Sequence, residues 1–305
     1  MPLEDHLLTE SGNPRSESID TLSPLEIVRL MNSEDRRVVE AVAAETPSIA
    51  RAIEWAADRF RRGGRLVYAG AGTSGRLGVL DAAECPPTFS TPPEMVVGLI
   101  AGGPTALTRA VEGAEDDPDR GAADIAGLDV GAADLVVGIA TSGRTPYVLG
   151  AVREARRRGA ATVGLSCNRP SLLGEAVDLE IAPLVGAEII SGSTRLKAGT
   201  ATKMILNMIS TGAMVQIGKT LGNRMVDLQP TNEKLRIRSR RILRELAGVD
   251  DAIACDILAR CDGRLKRALV VAMAGVEPEA AQALLDAHGG QVRAAVRAAG
   301  GRDPQ

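Results

Sequence analysis

Aromatic side chains are almost absent from this chain: one Trp, two Tyr and two Phe make up 2% of 305 residues. Single-stranded nucleic acids are held largely by stacking bases on aromatic rings, so that ligand class finds little here. Nor is there a cationic excess to meet phosphodiester backbones, since 36 Lys and Arg stand against 39 Asp and Glu, a formal net charge of −3. The four cysteines, Cys85, Cys167, Cys255 and Cys261, show neither C-x-x-C spacing nor neighbouring histidines. That pattern points away from zinc and from a disulfide framework, and fits a reducing compartment. Only two histidines occur, His6 and His288, one near each end. Proton transfer in the central region therefore falls to a carboxylate, a lysine or a tyrosine. No charged-then-apolar leader opens the chain, and no apolar run approaches the ~20 residues of a membrane span. These absences predict a soluble cytoplasmic protein with neither nucleic acid nor membrane as partner.

What the chain does have is aliphatic bulk: 45% of it is hydrophobic, mostly Ala, Val, Leu and Ile. Such packing suits helices laid on a parallel sheet, and the length allows one large or two modest domains. Residues 1–46 read as an N-terminal arm, with a helix over Pro24–Met31 capped by Ser23. From Pro47 the spacing of Ile49, Ile53, Ala56 and Phe60 predicts an amphipathic helix ending at Gly63 and Gly64. The strand-like runs LVYAG, MVVGLIAGG, DLVVGIA, ATVGLSC and LEIAPLVG then alternate with helical patterns, which is the sequence form of a parallel α/β sandwich. A long helix over about Leu196–Leu221 closes that domain, placed at residues 47–235, with Met204, Met208 and Met214 as packing groups. Residues 236–300 break into short helical runs without strands and read as a small all-helical module for oligomerisation or as a lid, and the terminal GGRDPQ is expected to fray.

The most informative stretch is Leu66–Gly75, LVYAGAGTSG, where a short strand enters a glycine- and hydroxyl-rich turn and a helix-like segment follows over Arg76–Ala83. Free backbone N–H groups and the positive end of a helix dipole gather there, a setting for an anion such as phosphate. Gly70, Gly72 and Gly75 also satisfy the dinucleotide pattern G-x-G-x-x-G. However, the second strand-like run ends in small residues and offers no acid for a ribose hydroxyl. Two further hydroxyl clusters, Thr141, Ser142 and Thr145, then Ser191, Ser193 and Thr194, favour a monoester held by hydroxyls. Any one cluster alone is also explained by a tight turn with a helix cap.

Acids complete the candidate chemistry. Glu84 sits beside Cys85, Pro86 and Pro87, just past the first helix of the sheet domain. A helix from Thr105 is expected to end near Glu112, Glu115, Asp116 and Asp117, of which Asp116 and Asp117 read as solvated surface acids.

Longer runs carry a resemblance. GAGTSGRLGVLDAAECPPT, GLIAGG, AVEGAED, VVGIATSGRTPYV, VGAEIISGSTRLKAGTATKMILNM and MVDLQPTNEKL, with the opening LLTESGNPRSESID, closely resemble the N-acetylmuramic acid 6-phosphate etherases over nearly the whole chain. The resemblance implies a sugar isomerase (SIS) domain followed by a small helical domain in a cytoplasmic homodimer, with a sugar-phosphate substrate and without metal or organic cofactor. It implies cleavage of the D-lactyl ether to N-acetylglucosamine 6-phosphate and D-lactate. By the same resemblance Glu84 is the acid that protonates the departing lactate oxygen, and Glu115 is the second catalytic glutamate. Gly72, Thr73, Ser74, Ser142, Thr145, Ser193, Thr194 and Lys197 are the expected substrate-binding set, with Arg195 as a further charge partner. Arg76 and Arg144 are left between that role and structural ion pairs. Ala140 departs from the broader S-x-S-G-x-T pattern of sugar-phosphate binders and removes one hydroxyl. Two rivals stay open: a sugar-phosphate sensor akin to the glucokinase regulatory protein, and an aldose–ketose isomerase on the same domain.

Overall fold

The structure is a computed structural model and describes residues 7–227 and 233–302. His6, the LQPTN part of MVDLQPTNEKL and the last three residues of GGRDPQ lie outside the described residues. Contacts divide the chain into two compact units, one of residues up to Glu84 with Pro93–Thr211, the other of Cys85–Pro92 with Gly212 onward. These limits differ from the boundaries expected at 46/47 and 235/236.

The first unit is built on five parallel strands, β1 (Leu66–Gly70), β2 (Val96–Ile100), β3 (Leu135–Ile139), β4 (Ala161–Leu165) and β5 (Leu179–Ile181), in the order β2-β1-β3-β4-β5. All five expected runs contribute a strand, though LEIAPLVG does so only over its first three residues, since Pro183 has no N–H to extend the ladder. β1 and β3 are buried at every position, as continuous apolar strands covered on both faces must be.

Helices flank the sheet: α1 (Pro24–Ala44), α2 (Thr46–Arg61), α3 (Gly72–Phe89), α4 (Pro118–Gly127), α5 (Pro146–Arg157), α6 (Leu172–Ala176) and α7 (Lys197–Gln216). α1 starts where expected, in a capping box made by Ser23 and Glu26, and then runs on to Ala44 with Val38 and Val42 continuing its buried stripe. α3 begins at Gly72 rather than Arg76 and continues through Pro86 and Pro87. The helix expected from Thr105 is absent. Gly102, Gly103 and Gly113 adopt positive φ and leave only 3-10 turns at Gly103–Leu107 and Ala114–Asp116. Asp117, exposed as expected, thereby caps α4, accepting from the Arg120 N–H at 2.9 Å.

The second unit holds α8 (Glu233–Ala247), α9 (Asp251–Arg260), α10 (Leu265–Ala274), α11 (Pro278–Ala287) and α12 (Val292–Ala298) around their own apolar core. Residues 236–300 hold helices and no strand, as expected; the unit also takes in a small hairpin before them, β6 (Thr220–Leu221) with β7 (Arg224–Met225). The helix expected to reach Leu221 stops at Gln216, where Gly218 takes φ of +78° with the Gly290 carbonyl 2.7 Å from the place of a side chain. Gly222 and Asn223 then supply a two-residue turn of the type hairpins favour.

Two features fix the first unit's layers. The buried Asp81 of α3 accepts from the Tyr68 hydroxyl of β1 at 2.8 Å and from Asn207 and Ser210 of α7 at 2.6 and 3.1 Å, so strand and both helices share one carboxylate. α4 and α5 approach through glycines: a side chain on Gly150 would run into the Pro118 carbonyl, and one on Gly121 into that of Tyr147. Gly150→Ala is therefore expected to destabilise the protein by about 3 kcal/mol, since neither backbone segment can yield without losing its helix. Denaturant unfolding measures it, and an unchanged midpoint refutes this packing.

Candidate active site

In an open parallel sheet, ligands bind at the carboxyl ends of the strands where the connection direction reverses. The order β2-β1-β3-β4-β5 puts that point between β1 and β3, and the hydroxyl clusters after those two strands meet there. A cavity of about 560 Å³ opens at this place, of a size suited to a small ligand. Its walls come from Gly72, Thr73 and Ser74 after β1, from Thr141, Ser142, Arg144 and Thr145 after β3, and from Gly192 and Thr194 before α7.

Glycine is required at the base of this cradle. A side chain on Gly70 would lie 2.7 Å from the Gly75 N, and one on Gly75 would lie 2.6 Å from Ile100 Cγ1. Their bare backbones let the first turn of α3 close directly on the end of β1, which sets the start of that helix, Gly72, Thr73 and Ser74, in the cavity wall. Ser74 Oγ and Thr141 Oγ1, 3.5 Å apart, join the first two clusters. Thr145 occupies the N-cap position of α5 but its hydroxyl makes no capping bond, which leaves it for a ligand. Two helix N-termini and several hydroxyls thus converge on one place, an arrangement that stabilises a phosphate dianion.

The third cluster is positioned from the N-terminal segment. Ser191 Oγ donates to the Glu10 carbonyl at 2.7 Å, the Gly192 N–H to the Thr9 carbonyl at 3.1 Å, and Ser16 Oγ to the Ile189 carbonyl at 2.7 Å. The N-terminal arm is therefore docked beside the site, and its Glu10 lines the cavity. Ser191 is spent on this anchoring. Ser193 stands between the wall residues Gly192 and Thr194 without itself lining the cavity.

Lys197 requires a correction. Its ammonium does not line the cavity but lies buried, 2.8 Å from Glu34 Oε2. Glu34 also accepts from Asn13 Nδ2 at 2.9 Å and from Arg15 Nη1 at 2.6 Å. Burial opposes its charge, yet the bonds from Lys197 and Asn13 prevail and hold its carboxyl below the ordinary range. One turn away, the buried Glu188 accepts the Lys197 and Ala198 N–H groups at 3.0 and 2.9 Å and so caps α7; burial nevertheless pushes its pKa up. Lys197 thus braces the loop that carries Gly192 and Thr194 and does not itself meet an anion. Arg195 is likewise outside the wall, and Arg76 donates to the Leu107 carbonyl at 3.1 Å. Arg144 does line the cavity and has no carboxylate partner among the described residues, which makes it the available cation.

The acids separate. Glu115 lines the cavity on its 3-10 turn, which packs against α5, and Asp116 beside it, exposed as expected, lines the wall too. A further carboxylate, Glu10, is there as well; sequence reasoning missed it because nothing in TESGN marks a site. Glu84 is not part of this wall. It is exposed on α3, twelve residues beyond Gly72, which at ~1.5 Å per residue is roughly 18 Å along the helix.

Residues 48–156 match the family model described as the glucokinase regulatory protein N-terminal SIS domain. A phosphoheptose isomerase structure from Neisseria gonorrhoeae superposes with a TM-score of 0.50 at 19% identity, over 63% of this chain and 98% of that one. Sheet order and cradle together define a SIS-type α/β domain. More particularly, the chain is 58% identical to an N-acetylmuramic acid 6-phosphate etherase from Rhodopirellula baltica, over 92% of this chain and 93% of that protein. It is 56% identical to another from Streptomyces avermitilis, over 96% and 94%. The chain belongs to the N-acetylmuramic acid 6-phosphate etherase family.

Removing one member of a buried ion pair typically costs about 3–5 kcal/mol, and Lys197→Met is expected to lose that much at neutral pH. Because Glu34 titrates below its ordinary value of 4.5, its paired form contributes fully above that pH and is lost as pH falls through the lowered value. The gap between wild type and variant should therefore narrow below pH 4.5 in urea titrations; a gap independent of pH excludes the pair as its source.

Proposed function

We propose that this protein cleaves the D-lactyl ether of N-acetylmuramic acid 6-phosphate, giving N-acetylglucosamine 6-phosphate and D-lactate, as a cytoplasmic homodimer. The observation that carries the reading is Glu115 standing in the same cavity as the hydroxyl-lined phosphate cradle, in a chain of this family.

An alkyl ether resists direct displacement. In the open-chain sugar, however, the aldehyde at carbon 1 acidifies the carbon 2 proton, and the ether oxygen on carbon 3 becomes a β-leaving group. The Glu115 carboxylate takes the carbon 2 proton; the carbon 3–oxygen bond breaks as Glu84, in its acid form, protonates the lactate oxygen. Water then adds across the resulting double bond, its hydroxyl to carbon 3 and its proton to carbon 2. The phosphate, gripped by Ser74, Ser142, Thr145 and the α3 and α5 N-termini with Arg144, supplies binding energy remote from the reacting carbons and orients the chain.

Glu84 enters this scheme from a second copy. The span along α3 is too long for Glu84 to serve its own cradle, whereas a two-fold partner presents the same surface to the other site. Leu80, one turn before it, is 53% exposed and offers an apolar contact on the same face.

Incubated with N-acetylmuramic acid 6-phosphate, the protein is expected to release D-lactate with solvent hydrogen incorporated at carbon 2. Isomerised substrate without lactate, or binding without turnover, refutes the scheme. Glu115→Gln should lower kcat by about 100-fold or more, the usual contribution of a positioned proton-transfer group. The shared site is tested by complementation. In a heterodimer of one Glu84→Ala and one Glu115→Ala chain, isolated through two different tags, one of the two sites keeps both acids, so about half of wild-type activity is expected. A heterodimer as inactive as either parent variant rules out an acid supplied across the interface.

A further inference from the structure

We infer that Glu10 is a substrate-binding residue of this site, one that accepts hydrogen bonds from the neutral N–H and O–H donors of the sugar and so fixes which way the molecule lies in the cavity. The inference rests on the etherase reading for its substrate, but its geometry is independent of the chemistry.

Glu10 lines the cavity, yet its side-chain oxygens have no hydrogen-bond or ion-pair partner among the described residues. Its position is nevertheless set. The Glu10 carbonyl accepts from Ser191 Oγ at 2.7 Å, and the preceding residue, the fully buried Thr9, accepts from the Gly192 N–H at 3.1 Å and, through Oγ1, from Asn168 Nδ2 at 3.1 Å. Asn168 Nδ2 donates in turn to the Thr141 carbonyl at 2.9 Å, so the cradle and the segment carrying Glu10 share one buried amide. The Glu10 carboxylate lies over Gly192, whose φ is +73°, with Oε2 3.0 Å from where a side chain on that glycine would begin.

An exposed carboxylate whose backbone is held at the edge of a ligand cavity, with Oε2 over the wall residue Gly192, is a ready acceptor. The same cavity has an anion-binding pole at the starts of α3 and α5 with Arg144. Glu10 repels both anionic groups of the substrate, the phosphate and the lactyl carboxylate, so that among the substrate's own groups only an uncharged donor can bond to it. In an acetamido sugar those donors are the amide N–H and the chain hydroxyls. Attraction at one pole and repulsion at the other leave a single productive orientation, a use of unfavourable contacts to set specificity.

The test uses the full chain and two readouts. In calorimetric titrations with N-acetylglucosamine 6-phosphate, Glu10→Ala should weaken binding by at least about tenfold, the loss expected for a hydrogen bond to a charged group. Competition by inorganic phosphate, which probes only the anionic pole, should not weaken. In turnover the loss should fall on KM rather than on kcat. Unchanged affinity for the amino-sugar phosphate in Glu10→Ala overturns the proposal, as does a collapse of kcat at unchanged KM or a parallel loss of phosphate affinity. If wild type binds the sugar phosphate but releases no lactate, the etherase reading fails while the binding comparison still decides the role of Glu10.

Discussion

One water-excluded carboxylate, Glu34, holds the third side of the site in place. A buried charge is tolerated only with compensating charge and hydrogen bonds, and Glu34 draws these from three different parts of the first unit: Lys197 at the start of α7, Asn13 and Arg15 in the N-terminal segment, and α1 on which it sits. Satisfying it brings residues 7–16 against the loop before α7, and the bonds of Ser16, Thr9 and Glu10 to Ile189, Gly192 and Ser191 follow from that approach. The neighbouring Glu188 caps the start of the same helix with two backbone bonds, so the loop between them has little freedom.

The other two sides depend on a backbone constraint. Because the strand connections reverse direction between β1 and β3, their following turns diverge to opposite faces and leave a crevice at the strand ends. Gly70 and Gly75 let α3 start inside that crevice, and Thr145 with Pro146 starts α5 there. Helix starts gathered in this way can hold an anion through main-chain N–H groups with few cations, in keeping with a chain of net charge −3. The acids Glu10, Glu115 and Asp116 share the cavity with this anion pole. That segregation of sign within one small volume suits a substrate that is anionic at its ends and carries its reacting carbons and neutral donors between them.

The parallel sandwich, the two strand-end hydroxyl clusters and the glycine turn were legible in the order of residues, because each rests on local rules: apolar runs of strand length, turn chemistry, and hydroxyls placed directly after a strand. The role of Lys197 was not. In sequence it follows a hydroxyl cluster and reads as a phosphate partner; only the fold shows that Glu34, more than 160 positions away, meets it first. The helix expected from Thr105 failed for a similar reason, since Gly102, Gly103 and Gly113 were placed at positive φ by the turn they serve rather than by any visible break in the pattern.

Glu84 and Glu10 mark the limit most sharply. Motif resemblance selects Glu84 and passes over Glu10, whereas the folded chain places Glu10 in the cavity and Glu84 out on α3. The sequence by itself determined the strands, the glycine- and hydroxyl-rich turns and the family, since short-range pattern and shared motifs carry that information. Which acids face the ligand, which cation is buried and which segment becomes a wall were decided by tertiary structure alone, because those depend on burial and on contacts between residues far apart in the chain.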